Sequence, residues 1–112
     1  MADLGTPGQD VPAVEVREED GTTIIRLSGD LDMTSIRQVS GAIDAALGGR
    51  RAKVIVDASG LTYMDSSGVA LMVRVSQTAQ EVQVRNPTPI VRRLIQLTGL
   101  SEILRITDEN QP

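Results

Sequence analysis

Tyr63-Met64-Asp65-Ser66-Ser67-Gly68-Val69-Ala70-Leu71 joins two apolar runs of different character. Upstream, Lys53-Val54-Ile55-Val56-Asp57 is short and β-branched between breakers, the pattern of a buried central strand. Downstream, Val69 to Gln80 reads as a helix, and Val69 to Val73 is apolar almost all round. Such a helix is normally covered on more than one side. A strand that feeds a helix in this way is half of a strand-helix-strand unit, and it predicts a partly parallel sheet covered by helices. The junction itself holds one carboxylate, two hydroxyls and a glycine, more polar chemistry than a connector needs. A residue at a helix N-terminus faces unpaired N–H groups and the positive end of the helix dipole. Two readings follow. Asp65 or Ser66 caps a buried helix, or a serine there is a hydroxyl switch at a place that tolerates added anionic charge.

Outward from this junction the elements alternate. Val14-Glu15-Val16-Arg17 suits a half-buried strand, Asp20-Gly21 a turn, and Thr22 to Leu27 a second strand, so a hairpin is predicted. Ser28-Gly29-Asp30-Leu31-Asp32 is expected to break that strand, with Thr34 or Ser35 capping a helix whose apolar face is Ile36, Val39, Ile43 and Leu47. Gly48-Gly49 stops it. Ser59-Gly60-Leu61-Thr62 reads as a loop. Val82 to Arg85 is a strand, Pro89 suits a first helical position, and Ile90, Val91, Leu94 and Leu97 form a helical stripe that ends at Thr98-Gly99-Leu100. Ile103 to Ile106 adds a last edge strand. The predicted order is β-β-α-β-α-β-α with a final β, in one α/β domain over 13–107. A mobile tail is expected at 1–12 and a polar one at 108–112.

Composition removes most chemistries. The 112 residues suffice for one domain, and 40% hydrophobic with 23% charged residues is ordinary for a soluble globular protein. There is one Tyr and no Phe or Trp, so the core is aliphatic and offers no platform for stacking bases. A net charge of −4 repels a phosphate backbone, and nucleic acid is not expected as a partner. The absence of Cys and His excludes disulfides, thiolate chemistry, Ser-His-Asp catalysis and the usual zinc sites. No apolar run approaches the roughly 18 residues of a membrane span, and no signal peptide is visible, so the cytoplasm is the expected location. Phosphate-cradling, dinucleotide and nucleophile-elbow motifs are missing, and Ser66 has no base of the usual kind.

Asp30 and Asp32, two apart on an extended segment, point to the same side. They form an acidic rim near Asp65, a Mg²⁺ site, or simply a strand-to-helix turn shaped by Asp. A receiver-type phosphoryl site would want a lysine on a later strand, and the only lysine, Lys53, is badly placed. Met33, Met64 and Met72 supply either adaptable contacts beside the serine or core filling. Arg50-Arg51 and Arg92-Arg93 read as solvated charge.

Three motifs in order now resemble one family. Tyr63-Met64-Asp65-Ser66-Ser67-Gly68 looks like the signature of bacterial anti-sigma factor antagonists, the single-domain members of the STAS family. Gly29-Asp30-Leu31-Asp32 with Thr34 or Ser35 looks like the family's Gly-acidic-Leu-Asp segment, and Thr98-Gly99-Leu100 like its late Ser/Thr-Gly-Leu segment. The resemblance covers most of residues 14–106. It implies a mixed sheet flanked by helices and a binding protein rather than an enzyme. Ser66 would accept phosphate from an anti-sigma factor that is itself a serine kinase, with Ser67 as the alternative acceptor. The unphosphorylated form would bind that kinase and free a sigma factor, and a serine phosphatase of the metal-dependent class would reset the switch. ATP and Mg²⁺ would belong to the kinase, leaving this chain without a cofactor. The implied partner surface is Asp30, Asp32, Met33, Thr34, Met64, Asp65, Ser67, Gly68, Val69 and Met72. Two departures bear on docking: Ala70 replaces the family's second glycine, and the helix reaches its next strand without the usual Gly-Gly turn. The competing readings are a STAS scaffold subunit without switching and a Mg²⁺-dependent phosphoryl-handling protein.

Overall fold

The computed structural model describes residues 13–108, so the expected tail at 1–12 and the chain beyond Asp108 lie outside the described residues. The elements are β1 (Ala13–Glu19), β2 (Thr22–Leu31), α1 (Ile36–Leu47), β3 (Lys53–Met64), α2 (Ser66–Thr78), β4 (Glu81–Arg85), α3 (Pro89–Leu97) and β5 (Arg105–Thr107). They form one five-stranded sheet in sequential order. β1 pairs antiparallel with β2 through a tight turn in which Asp20 and Gly21 both have positive φ, 51° and 82°. That is the backbone a two-residue hairpin of matching twist requires. The remaining pairings, β2 with β3, β3 with β4 and β4 with β5, are parallel. The sheet is therefore mixed and α/β, as the alternation of strand and helix periods predicts.

Period-2 burial on the strands meets period-3.6 burial on the helices in one aliphatic core. Ile25 and Leu27 of β2, Val54 and Val56 of β3, and Val82 and Val84 of β4 contribute from the sheet. Val39, Ile43 and Leu47 of α1, Leu71, Met72 and Val75 of α2, and Val91 and Ile95 of α3 contribute from the helices. Gly48, left-handed at φ 56°, closes α1 by returning its N–H to the Asp44 carbonyl.

Several boundaries differ from the sequence expectation. The expected break at Ser28–Asp32 and the expected loop at Ser59–Thr62 are both strand: β2 continues to Leu31 and β3 to Met64. The two extensions pair with each other through register shifts at Arg26/Ser28 and Gly29/Asp30. Gly60 makes this approach feasible, because a Cβ there would lie 2.8 Å from Ser28 Cβ. Thr88, just ahead of α3, donates its hydroxyl to the Leu61 carbonyl at 2.9 Å, on a stretch of β3 that β4 does not reach. α2 begins three residues earlier than its apolar run, at Ser66, because Asp65 caps it. It is also covered less completely than its composition implies: Val69 and Val73 are half-buried and Ala70 is exposed. On α3 the buried pair is Val91 and Ile95, while Ile90 and Leu97 of the expected stripe face outward at 45% and 71% exposure. A nine-residue helix seated on positions four apart leaves 90 and 97 beyond its contact.

Candidate functional site at the ends of β2 and β3

The register Leu31↔Met64 brings the ends of β2 and β3 side by side. The Asp65 N–H then donates to the Leu31 carbonyl at 3.2 Å, tying the start of α2 to the start of the β2–α1 turn. In sequence, Asp30 and Asp32 lie more than thirty residues before Asp65 and Ser66, and this pairing puts the four at one end of the sheet.

Asp65 is the N-cap of α2, in extended geometry, and its Oδ1 accepts the Ser67 N–H at 2.8 Å. One of the free donors of the helix start is thereby satisfied. Ser66, the first helical residue, is exposed, and Ser67 is half-buried. Gly68 and Val69 donate their N–H groups to the Asp65 carbonyl at 3.0 and 3.2 Å. Gly68 is buried, and its absent Cβ matters: it would stand 2.5 Å from Met64 Cγ and 3.0 Å from Leu31 Cγ. Gly68 therefore seats α2 on the ends of both strands and is not open to a partner's backbone. Met64 and Met72, assigned to the partner surface by the family resemblance, are core residues at 3% and 2% exposure. Met64 lies under Gly68, and Met72 lies on the buried face of α2 with Leu71 and Val75. Val69 is half-buried at the margin of this surface.

The β2–α1 turn is held by its own side chains. Asp32 Oδ1 accepts the Thr34 hydroxyl at 2.7 Å, the Thr34 N–H at 3.0 Å and the Ser35 N–H at 3.3 Å. Buried Ser35 donates its hydroxyl to the Asp30 carbonyl at 2.8 Å and accepts the Asp32 N–H at 3.1 Å. Asp30 Oδ1 accepts the Thr62 hydroxyl at 2.6 Å, so a side-chain bridge links β2 to β3. The three carboxylates serve the local architecture and do not converge, and among the described residues no group of three or more His, Cys, Asp or Glu forms a metal cradle. The geometry that a Mg²⁺ site at Asp30, Asp32 and Asp65 would need is not formed. Asp30 is taken by Thr62, Asp32 by its own turn, and Asp65 by the helix.

The Thr34 hydroxyl bond, reinforced by backbone N–H groups of Thr34 and Ser35, holds the Asp32 carboxyl below its ordinary range. A lowered folded-state pKa contributes stability above the unfolded value, and this is lost as pH falls through the folded value. Thr34→Val is expected to raise the Asp32 pKa toward the ordinary aspartate range in a carboxyl-detected NMR titration. An unchanged titration would show that the hydroxyl is not the cause.

Sequence reasoning missed three contributors. Ser35, one of the two predicted caps of α1, makes no side-chain cap bond and locks the turn instead. Thr62, in a segment whose composition predicts a loop, lies in β3 and donates its hydroxyl to Asp30. Tyr63, the only aromatic residue, stands 44% exposed beside Asp30 in the register, and its uniqueness in an aliphatic sequence was the available signal.

A sequential mixed sheet with a capped, serine-bearing helix start beside an Asp-locked turn defines a small α/β fold. Residues 14–106 match the family described as Mlab, STAS domain, and the chain belongs to the STAS-domain family. An anti-sigma F factor antagonist from Lysinibacillus sphaericus is 35% identical over 95 residues, covering 80% of this chain and 81% of that protein. The crystal structure of an anti-sigma factor antagonist from Mycobacterium paratuberculosis shares the fold, with a TM-score of 0.80 at 24% identity over 93% of this chain and 90% of that one. The anti-sigma factor antagonist SpoIIAA in its unphosphorylated form gives a TM-score of 0.68 at 29% identity, covering 88% of this chain and 90% of that one. Its phosphorylated form, described as a Bacillus cell fate determinant, gives 0.68 at 27% identity, covering 88% and 93%. Among the described residues, no helix is long and apolar enough to cross a membrane.

Proposed function

We propose that this protein is an anti-sigma factor antagonist whose binding to an anti-sigma factor serine kinase is switched off by phosphorylation of Ser66. One observation carries the reading: Ser66 is an exposed hydroxyl at the first position of a helix whose cap, Asp65, is already engaged. Similarity to the Lysinibacillus antagonist, and to SpoIIAA, whose structure has been solved in a phosphorylated form, supports it. In the transfer step the Ser66 Oγ attacks the γ-phosphorus of ATP held by the kinase. The new O–P bond forms as the bond to the ADP oxygen breaks, and the hydroxyl proton passes to a base of the kinase. Mg²⁺ acts with the nucleotide on the kinase. The positive end of the α2 dipole favours added negative charge at its first residue, although Asp65 already accepts the N–H groups of Ser67, Gly68 and Val69. A serine phosphatase of the metal-dependent class hydrolyses the ester and restores binding.

Incubation with the kinase and ATP, followed by peptide mass spectrometry, tests the assignment. A single phosphate on Ser66, absent from Ser66→Ala, is the expected result. Phosphate on Ser67 alone would move the switch by one residue. An unmodified chain would favour the scaffold reading, which shares the fold and needs no acceptor.

A further inference from the structure

We infer that the free edge of β1 is a self-association surface, on which β1 of a second copy pairs antiparallel about a two-fold axis at Val16. The surface is separate from Ser66 and does not depend on the proposed function.

Among the described residues, β1 pairs with β2 on one side and with no strand on the other. At a two-residue turn the flanking pair, here Glu19 and Thr22, exchanges both backbone hydrogen bonds, and bonded and unbonded pairs alternate from there. Glu15, Arg17 and Glu19 thus turn their backbone groups toward β2, whereas Val14, Val16 and Glu18 turn theirs to the free edge. Such an edge is a template for another strand. The helix above it leaves room. Arg74 of α2 bonds Ser40 and Asp44, which fixes the α2 side of α1. Arg50 bonds both the Ala46 carbonyl and Glu18, so the opposite flank of α1 stands over β1. That flank carries the small side chains of Ala42 and Ala46, both half-buried.

Charge complementarity selects the occupant. Val16 is the middle residue of β1, so an axis there overlaps the whole strand with its copy. Val16, 42% exposed on the face that bears α1, then meets Val16 of the second copy. On the other face, exposed Glu15 stands opposite Arg17 of the second copy, and the same pair recurs by symmetry. Val14 opposes Glu18, whose carboxylate already accepts from Thr23 and Arg50. An axis at Glu15, Arg17 or Glu18 would set like charge directly against like charge, and one at Val14 would overlap only 13–15. Charged residues ordinarily guard an edge against pairing. The order Glu15-Val16-Arg17 guards this one against other strands and leaves it open to its own antiparallel copy. The axis is perpendicular to the sheet, so five strands from each copy make one continuous sheet whose two Ser66 ends point in opposite directions.

Sedimentation velocity on the full chain over a concentration series tests this. Wild type is expected to form a reversible, concentration-dependent dimer, since one strand pairing buries less than an obligate interface does. Arg17→Glu and Glu15→Arg are each expected to raise the dimer dissociation constant about tenfold, because each sets like charges opposite at two symmetric places. The double variant Glu15→Arg/Arg17→Glu restores opposite charges across the axis and should restore the dimer. Residue 15 also faces Arg26 within its own chain, and the double variant keeps that altered contact, so its rescue reports the contact between copies alone. Leu97→Ser, on the exposed side of α3, should leave the dimer unchanged. A wild-type chain that stays monomeric overturns the inference. So do single variants that dimerise as wild type does, a double variant no tighter than the singles, or a dimer lost in Leu97→Ser.

Discussion

Ser66→Asp is expected to bind the anti-sigma factor kinase about a hundredfold more weakly than wild type, a loss of roughly 3 kcal/mol. Ser66→Ala is expected to bind as the unphosphorylated protein does and to stay bound in the presence of ATP. The asymmetry follows from where the hydroxyl sits. Ser66 is exposed on a rigid helix start, so a charge placed there is carried into the interface and not absorbed by the fold. Asp65 and Asp32 already make this end of the sheet acidic. The kinase must present nucleotide phosphates to the same hydroxyl, so a charged group there meets like charge on both sides. Isothermal titration calorimetry with the kinase checks it. Equal affinity for wild type and both variants would remove the switch from Ser66.

A second large effect is expected at Gly68, on stability. Gly68→Val should destabilise the domain by about 3 kcal/mol, lowering the melting temperature by roughly 15 °C. The ideal Cβ position is 2.5 Å from Met64 Cγ and 3.0 Å from both Leu31 Cγ and Met64 Sδ, well inside contact distance. Met64 and Leu31 are themselves buried and have nowhere to retreat. Gly68→Ala meets the same obstruction with fewer atoms, and the helix preference of alanine, about 1 kcal/mol, offsets part of it. Its loss should therefore be the smaller of the two. Gly68→Ala combined with Met64→Ala provides the diagnostic. The added methyl then enters space that the shortened side chain has vacated, so the double variant should be more stable than the sum of the single changes by about 1 kcal/mol. Additive losses in thermal melts would refute the packing account.

The fold was legible where pattern and propensity agreed. Val54 to Val56, the α1 stripe Ile36-Val39-Ile43-Leu47, the Asp20-Gly21 turn and Pro89 at the head of α3 each state their conformation locally. It was illegible where tertiary pairing overrode local preference. Ser28-Gly29-Asp30 and Ser59-Gly60-Leu61-Thr62 carry loop-forming residues, yet each is strand because the other is its neighbour. Neither segment reveals that partnership alone. The site behaved likewise. The Asp65 cap could be read from the sequence around it, whereas the division between buried Met64 and exposed Met33 could not. Methionine suits core and surface equally, and only the close seat of Gly68 shows which one lies beneath the helix.

The unequal pairing of β3 has a consequence for local opening. Lys53 to Asp57 are held by β2 on one side and β4 on the other, whereas Gly60 to Met64 pair with β2 alone. Opening free energy is therefore graded along a single strand, highest where two ladders grip it and lower toward Ser66. The Thr88 hydroxyl on the Leu61 carbonyl acts as a latch on the ungripped edge. The end of β3 that leads to Ser66 is therefore expected to exchange its amide hydrogens sooner than Lys53 to Asp57, which keep the sheet closed.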